Sequence, residues 1–502
     1  MTEVARQVRD LSPRGRLSFL ARDAVLYGGA AAINALFGII TFPLLARHFD
    51  VAEYGLIDLL TAVSSLLAVV VVFGQDSAVA RFYYGVQGDV ARREVVSESA
   101  YIQMFTLCAT LAVVLLNLDA FLGWFGLRPE DAALLGVVLL TAPVQLATNF
   151  AMNLLKWTFE RRRFLVLSVG SVAARMVAIL IAITFFDLGV FGLFALTLCV
   201  QAAFAAYGLV CIRGHLQWVV DGRHVAQLLR FGLPLGVIGI AAAAAPAVER
   251  VAISTIAGAT QLGLYAAGAK IALLLSLFVQ AFQTAWGPFS LALYDQDDSQ
   301  RTFDLVLRSL AFLVICGAMT LHVLGDFLVD LLASDRYAGA AVVVFPLAMA
   351  LAIQGVGWVL EIGITVSKRS YLSLGSYATG LVVLVTLIWP VVERFGAVGA
   401  ASVVLLAQAV RTCLSAALGQ SVWRRAWSYR RTAGAFALAI AAWLAVEYSY
   451  SGVATRMPMW LESVLFGGVA VGLVFVLFTS GERRHLVSYS RAGWAWLVAR
   501  GG

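Results

Sequence analysis

Residues 340–366 read AAVVVFPLAMALAIQGVGWVLEIGITV, with Glu361 as the one charged side chain. A helix needs ~20 apolar residues to cross the hydrocarbon of a bilayer. This run is long enough, and nothing in it suits a water-facing surface. The rest of the chain repeats the pattern. Similar apolar runs occupy 23–46, 56–78, 99–118, 132–154, 164–186, 189–211, 231–256, 263–290, 305–325, 371–392, 397–422, 432–448 and 460–479. With the quoted run they make fourteen. The split between 164–186 and 189–211 rests on the Asp187-Leu188-Gly189 turn. In hydrocarbon a backbone must satisfy its own hydrogen bonds, so the runs are predicted to be helices.

Composition agrees. Of 502 residues, 61% are hydrophobic and 13% charged, against ~25% charged in an ordinary soluble domain. That excludes a soluble enzyme, a disordered chain and a fibrous one. The net charge of +7 invites a nucleic-acid reading, but the placement of the cations excludes it. With the N-terminus inside and the sides alternating, 27 of the 36 Lys and Arg fall in inner segments. Five fall outside: Arg47, Arg128, Arg336, Arg394 and Arg456. That split satisfies the positive-inside rule and predicts cytoplasmic termini.

The chain also matches itself at a shift of 207–208 residues. Gly189-Val-Phe-Gly192 maps to Gly396-Ala-Val-Gly399, Phe164-Leu165 to Tyr371-Leu372, Tyr54-Gly55-Leu56 to Leu262-Gly263-Leu264, and Gln75 to Gln283. The shift carries span one onto seven and span six onto twelve. Six is even, so the halves keep one orientation and would be related by a pseudo-two-fold along the membrane normal. The expected fold is an all-α polytopic membrane protein. It has a basic tail (1–22), an N-lobe of six helices (23–211), a cytoplasmic linker (212–230) and a C-lobe of six helices (231–422). Two further helices (423–479) and a cytoplasmic tail (480–502) complete it.

Enzyme motifs are missing. The nearest approach to a phosphate-binding loop, Gly263-Leu-Tyr-Ala-Ala-Gly-Ala-Lys270, lies inside a span and lacks the glycine-lysine step. There is no HExxH, GxSxG or CxxC. Asp295-Gln-Asp297-Asp298 contains a DxD, read as a solvated turn. Asp50 and Glu53 suit a glycosyltransferase or polymerase acting from the outer face, but Asp-x-x-Glu ahead of an apolar run is also a helix start. No metal site or cofactor is expected; a proton or sodium ion is the expected coupling partner.

Four cations remain, all inside spans: Arg175, Arg250, Lys270 and Arg411. A cation at the bilayer centre costs at least ~2.5–3.5 kcal/mol, so each needs a cavity or a partner. At 1.5 Å per residue Arg175 lies about 16 Å past Phe164, and Arg411 lies equally deep before Val422. No acid is level with either. Glu249 and Lys270 flank one loop at equal depth and could pair. Asp58 is expected at the outer interface, and Glu361 within reach of Lys368. A cationic midplane favours an anionic substrate such as pyrophosphate, which Arg binds with a planar fork. Arg175, Arg411, Arg250 and Lys270 are therefore the substrate candidates. Glu249, Glu361 and Asp58 are the ion-coupling candidates.

Three segments carry a resemblance. Arg47-His-Phe-Asp-Val-Ala-Glu-Tyr54-Gly55-Leu56, Phe73-Gly74-Gln-Asp-Ser-Ala-Val-Ala-Arg81-Phe82 and Phe282-Gln-Thr-Ala-Trp-Gly-Pro288 are similar to segments of polysaccharide-export flippases of the Wzx type. That family belongs to the multidrug/oligosaccharidyl-lipid/polysaccharide exporter superfamily, with lipid II flippases and multidrug extruders. The resemblance implies a two-lobe, 14-helix transporter. It implies movement of an undecaprenyl-pyrophosphate-linked oligosaccharide to the outer leaflet by alternating access coupled to an ion gradient. It also implies lipid-linked oligosaccharide and membrane lipids as partners, beside a polymerase and glycosyltransferases of the same pathway. Tyr54, Gly55, Arg81 and Pro288 match its motifs and read as structural. A lipid II flippase has the same mechanism with a different glycan. A multidrug antiporter usually has twelve spans and buried acids in its cavity. An integral-membrane glycosyltransferase would need a larger outer loop than 326–339.

Overall fold

A computed structural model describes residues 13–484 apart from 87, 128, 187, 219–220, 297–298, 368, 370 and 451–457. Asp187 of the expected turn, Asp297 and Asp298 of the DxD, Lys368 and most of both tails lie outside the described residues. Every regular element within them is helical. In chain order these are α1 (Pro13–His48), α2 (Val51–Val72), α3 (Gln75–Tyr83), α4 (Asp89–Leu116), α5 (Leu118–Trp124) and α6 (Ala132–Trp157). Then come α7 (Arg161–Leu165), α8 (Ser171–Thr184), α9 (Val190–Ile212), α10 (Val225–Ala252), α11 (Gly258–Leu293) and α12 (Ser299–Val323). The last are α13 (Gly325–Leu332), α14 (Val344–Leu360), α15 (Ile362–Val366), α16 (Tyr371–Val422), α17 (Tyr429–Tyr450) and α18 (Met459–Leu477).

Among the described residues ten segments are long and apolar enough to cross a membrane, so this is a multi-pass membrane protein. Two of the ten are too long for one crossing: Val225–Gly287 has 63 residues and Tyr371–Val422 has 52. The first breaks at Gly258, with φ +88°. The second breaks at Gly396, with φ 56° and ψ −139°. Only glycine takes such angles without strain. Each long segment therefore holds two helices of ordinary length. The expected spans 23–46 and 432–448 fall on α1 and α17.

The expected repeat coincides with these breaks. Gly189 precedes α9 and Gly396 interrupts α16. One boundary differs from expectation. Span two does not run to residue 78. Phe73 and Gly74 are both left-handed, with φ of 48° and 71°, and end α2 before α3 begins.

The chain packs as two compact units. The first draws on 1–267, 330–337 and 377–403; the second on 268–329, 338–376 and 404–502. In the first, Val79, Val95, Leu154, Leu155, Leu167 and Leu228 form a fully buried core. Two of its helix crossings are backbone on backbone. A Cβ on Gly55 of α2 would stand 2.7 Å from the Gly263 nitrogen of α11. A Cβ on Gly74 would stand 2.6 Å from the Gly236 nitrogen of α10. Side chains would hold these helices apart, so small residues are what allow the approach.

In the second unit, Phe345 of α14 stacks on Trp443 of α17 at 5.2 Å. His322 of α12 meets Phe345 and Phe466 edge-on. Elsewhere in this unit, Arg308 forks onto Glu482, with Nη1 and Nη2 donating to its two oxygens at 2.8 and 2.9 Å. Its Nε donates to Asp304, which in turn accepts from the Ser428 backbone and hydroxyl. This network ties α12 to the start of α17 and the end of α18. Arg308 is thus a buried part of α12.

Candidate functional site

In the first unit three of the expected charges come together. Asp58 lies on the second turn of α2, and Glu249 and Arg250 on the last turn of α10. Arg250 Nε donates to Asp58 Oδ2 at 2.7 Å, and its Nη1 lies 3.4 Å from Glu249 Oε2. The same Glu249 oxygen accepts from the Tyr265 hydroxyl at 2.7 Å. Arg250 also donates to the Pro246 carbonyl, and its guanidinium lies 5.7 Å from the Tyr265 ring centre. Pro246 supplies no N–H of its own to the helix, but its carbonyl is still available.

Asp58 and Glu249 are 6% and 8% exposed. Asp58 is therefore buried and ion-paired, not interfacial as its position near a helix end suggested. The Glu249 oxygen that accepts from Tyr265 is the one nearest Arg250. Two carboxylates share one guanidinium here, so the cluster carries one excess negative charge when both are ionised. Burial makes that excess expensive.

Arg175 contrasts with Arg250. It is exposed on α8. It makes no hydrogen bond or ion pair with another described residue.

The second unit holds a polar layer around Arg411. This residue is 6% exposed on α16. With its amide turned to face the guanidinium, Gln408 accepts from Arg411 Nη2 at 2.8 Å and Nε at 3.3 Å. One turn on, the Ser415 hydroxyl donates to Glu361 Oε1 and lies 2.9 Å from Ser376 Oγ. Glu361 thus meets a serine of α16; Lys368, its expected partner, is outside the described residues. Lys270 is half-buried on α11.

Tyr54, Gly55 and Arg81 of the motifs sit at packing contacts. Tyr54 is 2% exposed and lies edge-on to Tyr337 at 5.9 Å. Gly55 makes the crossing described above. Arg81 is exposed, with its guanidinium 6.0 Å from the Phe231 ring centre. Pro288 falls within α11. Asp50 and Glu53 form a reciprocal cap: Asp50 Oδ1 accepts the Glu53 N–H at 2.7 Å, and Glu53 Oε2 accepts the Asp50 N–H at 3.1 Å. Those acids are thus spent on starting α2.

Tyr265, Ser376, Ser415 and Gln408 went unnoticed in the sequence. Ser415 and Gln408 were findable, since they lie four and three residues from Arg411 on one helix face. Tyr265 and Ser376 had no such signal.

The family of polysaccharide biosynthesis proteins matches residues 20–293. This chain belongs to that family. No curated protein sequence matches it. Among solved structures, a lipid II flippase MurJ in an inward closed conformation is similar at a TM-score of 0.70. The two are 14% identical, over 92% of this chain and 100% of that one. An inward-facing multidrug resistance transporter of the MATE family is similar at a TM-score of 0.65. It is 16% identical, over 77% of this chain and 94% of that one. The fold of this polysaccharide biosynthesis protein is thus that of membrane flippases and transporters.

Proposed function

We propose that the protein is a flippase for an undecaprenyl-pyrophosphate-linked oligosaccharide repeat unit. It would carry that unit from the cytoplasmic to the outer leaflet of a bacterial inner membrane during cell-surface polysaccharide assembly. Family membership and the flippase-like fold support this reading. The observation that carries it is Arg175, a cation in an apolar helix that makes no hydrogen bond or ion pair with another described residue. Lipid would penalise it by ~2.5–3.5 kcal/mol or more, so its face of α8 opens to water and to an anion. A pyrophosphate group fits the planar fork of Arg better than any neutral drug.

Arg411, reached through Gln408, takes the same role in the second unit. Arg250 is assigned to the carboxylate cluster, because two acids already claim its charge. The excess negative charge at Asp58 and Glu249 suits a proton or sodium ion, whose arrival would neutralise it. Glu361, held by Ser415, is the second coupling candidate, and Lys270 a secondary anion contact. Both termini lie in the cytoplasm, as the distribution of Lys and Arg requires. Polymerase and glycosyltransferases of the same pathway would act before and after this step.

Reconstitution in liposomes tests the reading. A fluorescent prenyl-pyrophosphoryl oligosaccharide placed in one leaflet should cross faster with the protein than without it, and faster still under a proton or sodium gradient. Efflux of a cationic dye, with no movement of the lipid, would replace this reading with a multidrug antiporter.

A further inference from the structure

Arg47 and Arg336 are two of the five cations that the alternating topology leaves on the outer side. In the first unit they meet. Arg47 lies on the last turn of α1, and Arg336 in a short helical turn, Asp335–Tyr337, just after α13. Arg47 Nη2 donates to the Leu331 carbonyl at 2.7 Å, and Arg336 Nη2 donates to the Arg47 carbonyl at 3.0 Å. Leu331 is the next-to-last residue of α13. The last carbonyls of a helix lack a partner within it and carry the negative end of its dipole. Arg47 therefore caps the end of α13, and Arg336 caps the end of α1.

Tyr337 fastens the same segment. It is 0% exposed and edge-on to the buried Tyr54, and its hydroxyl lies 3.5 Å from the Asp50 carbonyl. Tyr54 packs in turn on Phe42 of α1. Ala333 and the Ser334 hydroxyl are buried as well. Residues 330–337 thus lie against the corner between α1 and α2, held by one buried ring and two exposed arginines.

These residues belong to the first unit, but 268–329 before them and 338–376 after them belong to the second. Any displacement of the second unit pulls on the segment from both ends. Gly339, two residues past Tyr337, has φ +98° and nothing within 4 Å of its Cβ position, so the backbone there can turn without strain. The arginine bonds are made at the surface, where water replaces them at little cost. Contacts of that kind open before a buried core does.

We propose that residues 330–337 are a clasp on the outer end of the first unit, closed by Arg47, Arg336 and Tyr337, which lifts off once in each transport cycle. This rests on the flippase reading, in which the outer side opens to release the headgroup of the lipid.

Two experiments on the full chain test it. The first is maleimide labelling of the near-isosteric Ser334→Cys in nanodiscs, with wild type and its five native cysteines as background. Adding Arg47→Ala or Arg336→Ala should speed labelling about tenfold, the loss of one hydrogen bond. Adding Arg394→Ala, at another outer arginine, should leave the rate unchanged. Equal rates in all four proteins would overturn the clasp. The second joins Arg47→Cys/Arg336→Cys with a reducible bifunctional methanethiosulfonate, and treats wild type identically as the control. The cross-link should stop translocation of a fluorescent prenyl-pyrophosphoryl oligosaccharide in liposomes, and reduction should restore it. Translocation at the untreated rate while the cross-link holds would overturn the clasp and leave the flippase reading standing. No translocation by untreated wild type would overturn the flippase reading, and the clasp would then stand or fall on the labelling rates.

Discussion

Gly55 and Gly263, which the internal repeat makes equivalent, face each other across the crossing of α2 and α11. The Cβ of an alanine at 55 would lie 2.7 Å from the Gly263 nitrogen and from the Ala259 carbonyl oxygen. One at 263 would collide with the Val51 carbonyl. Both obstacles are backbone, which cannot swing aside as a side chain can. The resemblance segment around Tyr54-Gly55 is thereby explained as a packing device.

Gly55→Ala and Gly263→Ala should each cost more than about 3 kcal/mol, or abolish folding, because helix backbones must separate. Gly136→Ala on α6 is the control, since nothing lies within 4 Å of its Cβ position. It should be neutral or stabilising by up to ~1 kcal/mol from helix propensity. Size-exclusion profiles and thermal unfolding in detergent separate the outcomes. A wild-type profile for Gly263→Ala would contradict the crossing.

Removing Arg250 alone leaves Asp58 and Glu249 buried without their cation. Arg250→Gln should destabilise the protein by ~3–5 kcal/mol. Adding Asp58→Asn to it should recover at least half of that loss, since the stranded charge is gone. Thermal unfolding of the two single variants and the double variant gives the coupling directly. Additive losses would show that the pair is not a unit.

The Arg308 fork, with help from Thr479, holds the Glu482 carboxyl down at about 2, below the ordinary ~4.3 of a glutamate. A lowered acid contributes stability that is fully present above its unfolded pKa and lost as pH falls through the folded one. The stabilisation by Glu482 should therefore be complete above about pH 4.5 and fade towards pH 2. Wild type should unfold at a higher temperature than Glu482→Gln at pH 6, and the gap should close on acidification. A gap independent of pH would mean that the fork contributes through packing alone.

Much of this was legible beforehand, for definite physical reasons. The apolar runs fall on predominantly helical segments, because a bilayer admits little else. The Asp50-x-x-Glu53 cap was legible because capping is local. Arg175 stood out because depth follows from counting at 1.5 Å per residue. Partnerships across helices were not legible. Depth places a residue along its own helix and says nothing of which helix faces it. Arg250 finds Asp58 on α2, 192 positions away, whereas the sequence reading weighed only groups at matching depth on neighbouring spans. Asp58 was assigned to the interface from its nearness to a helix end, which measures depth and not burial.

The most direct test compares translocation of a prenyl-pyrophosphoryl oligosaccharide by wild type and Arg175→Ala in liposomes, under a gradient that drives the wild type. The account predicts a loss of about a hundredfold or more in initial rate, with unchanged thermal unfolding, because Arg175 is exposed and has no hydrogen-bond or ion-pair partner among the described residues to lose. Translocation at the wild-type rate by a folded Arg175→Ala protein would contradict it.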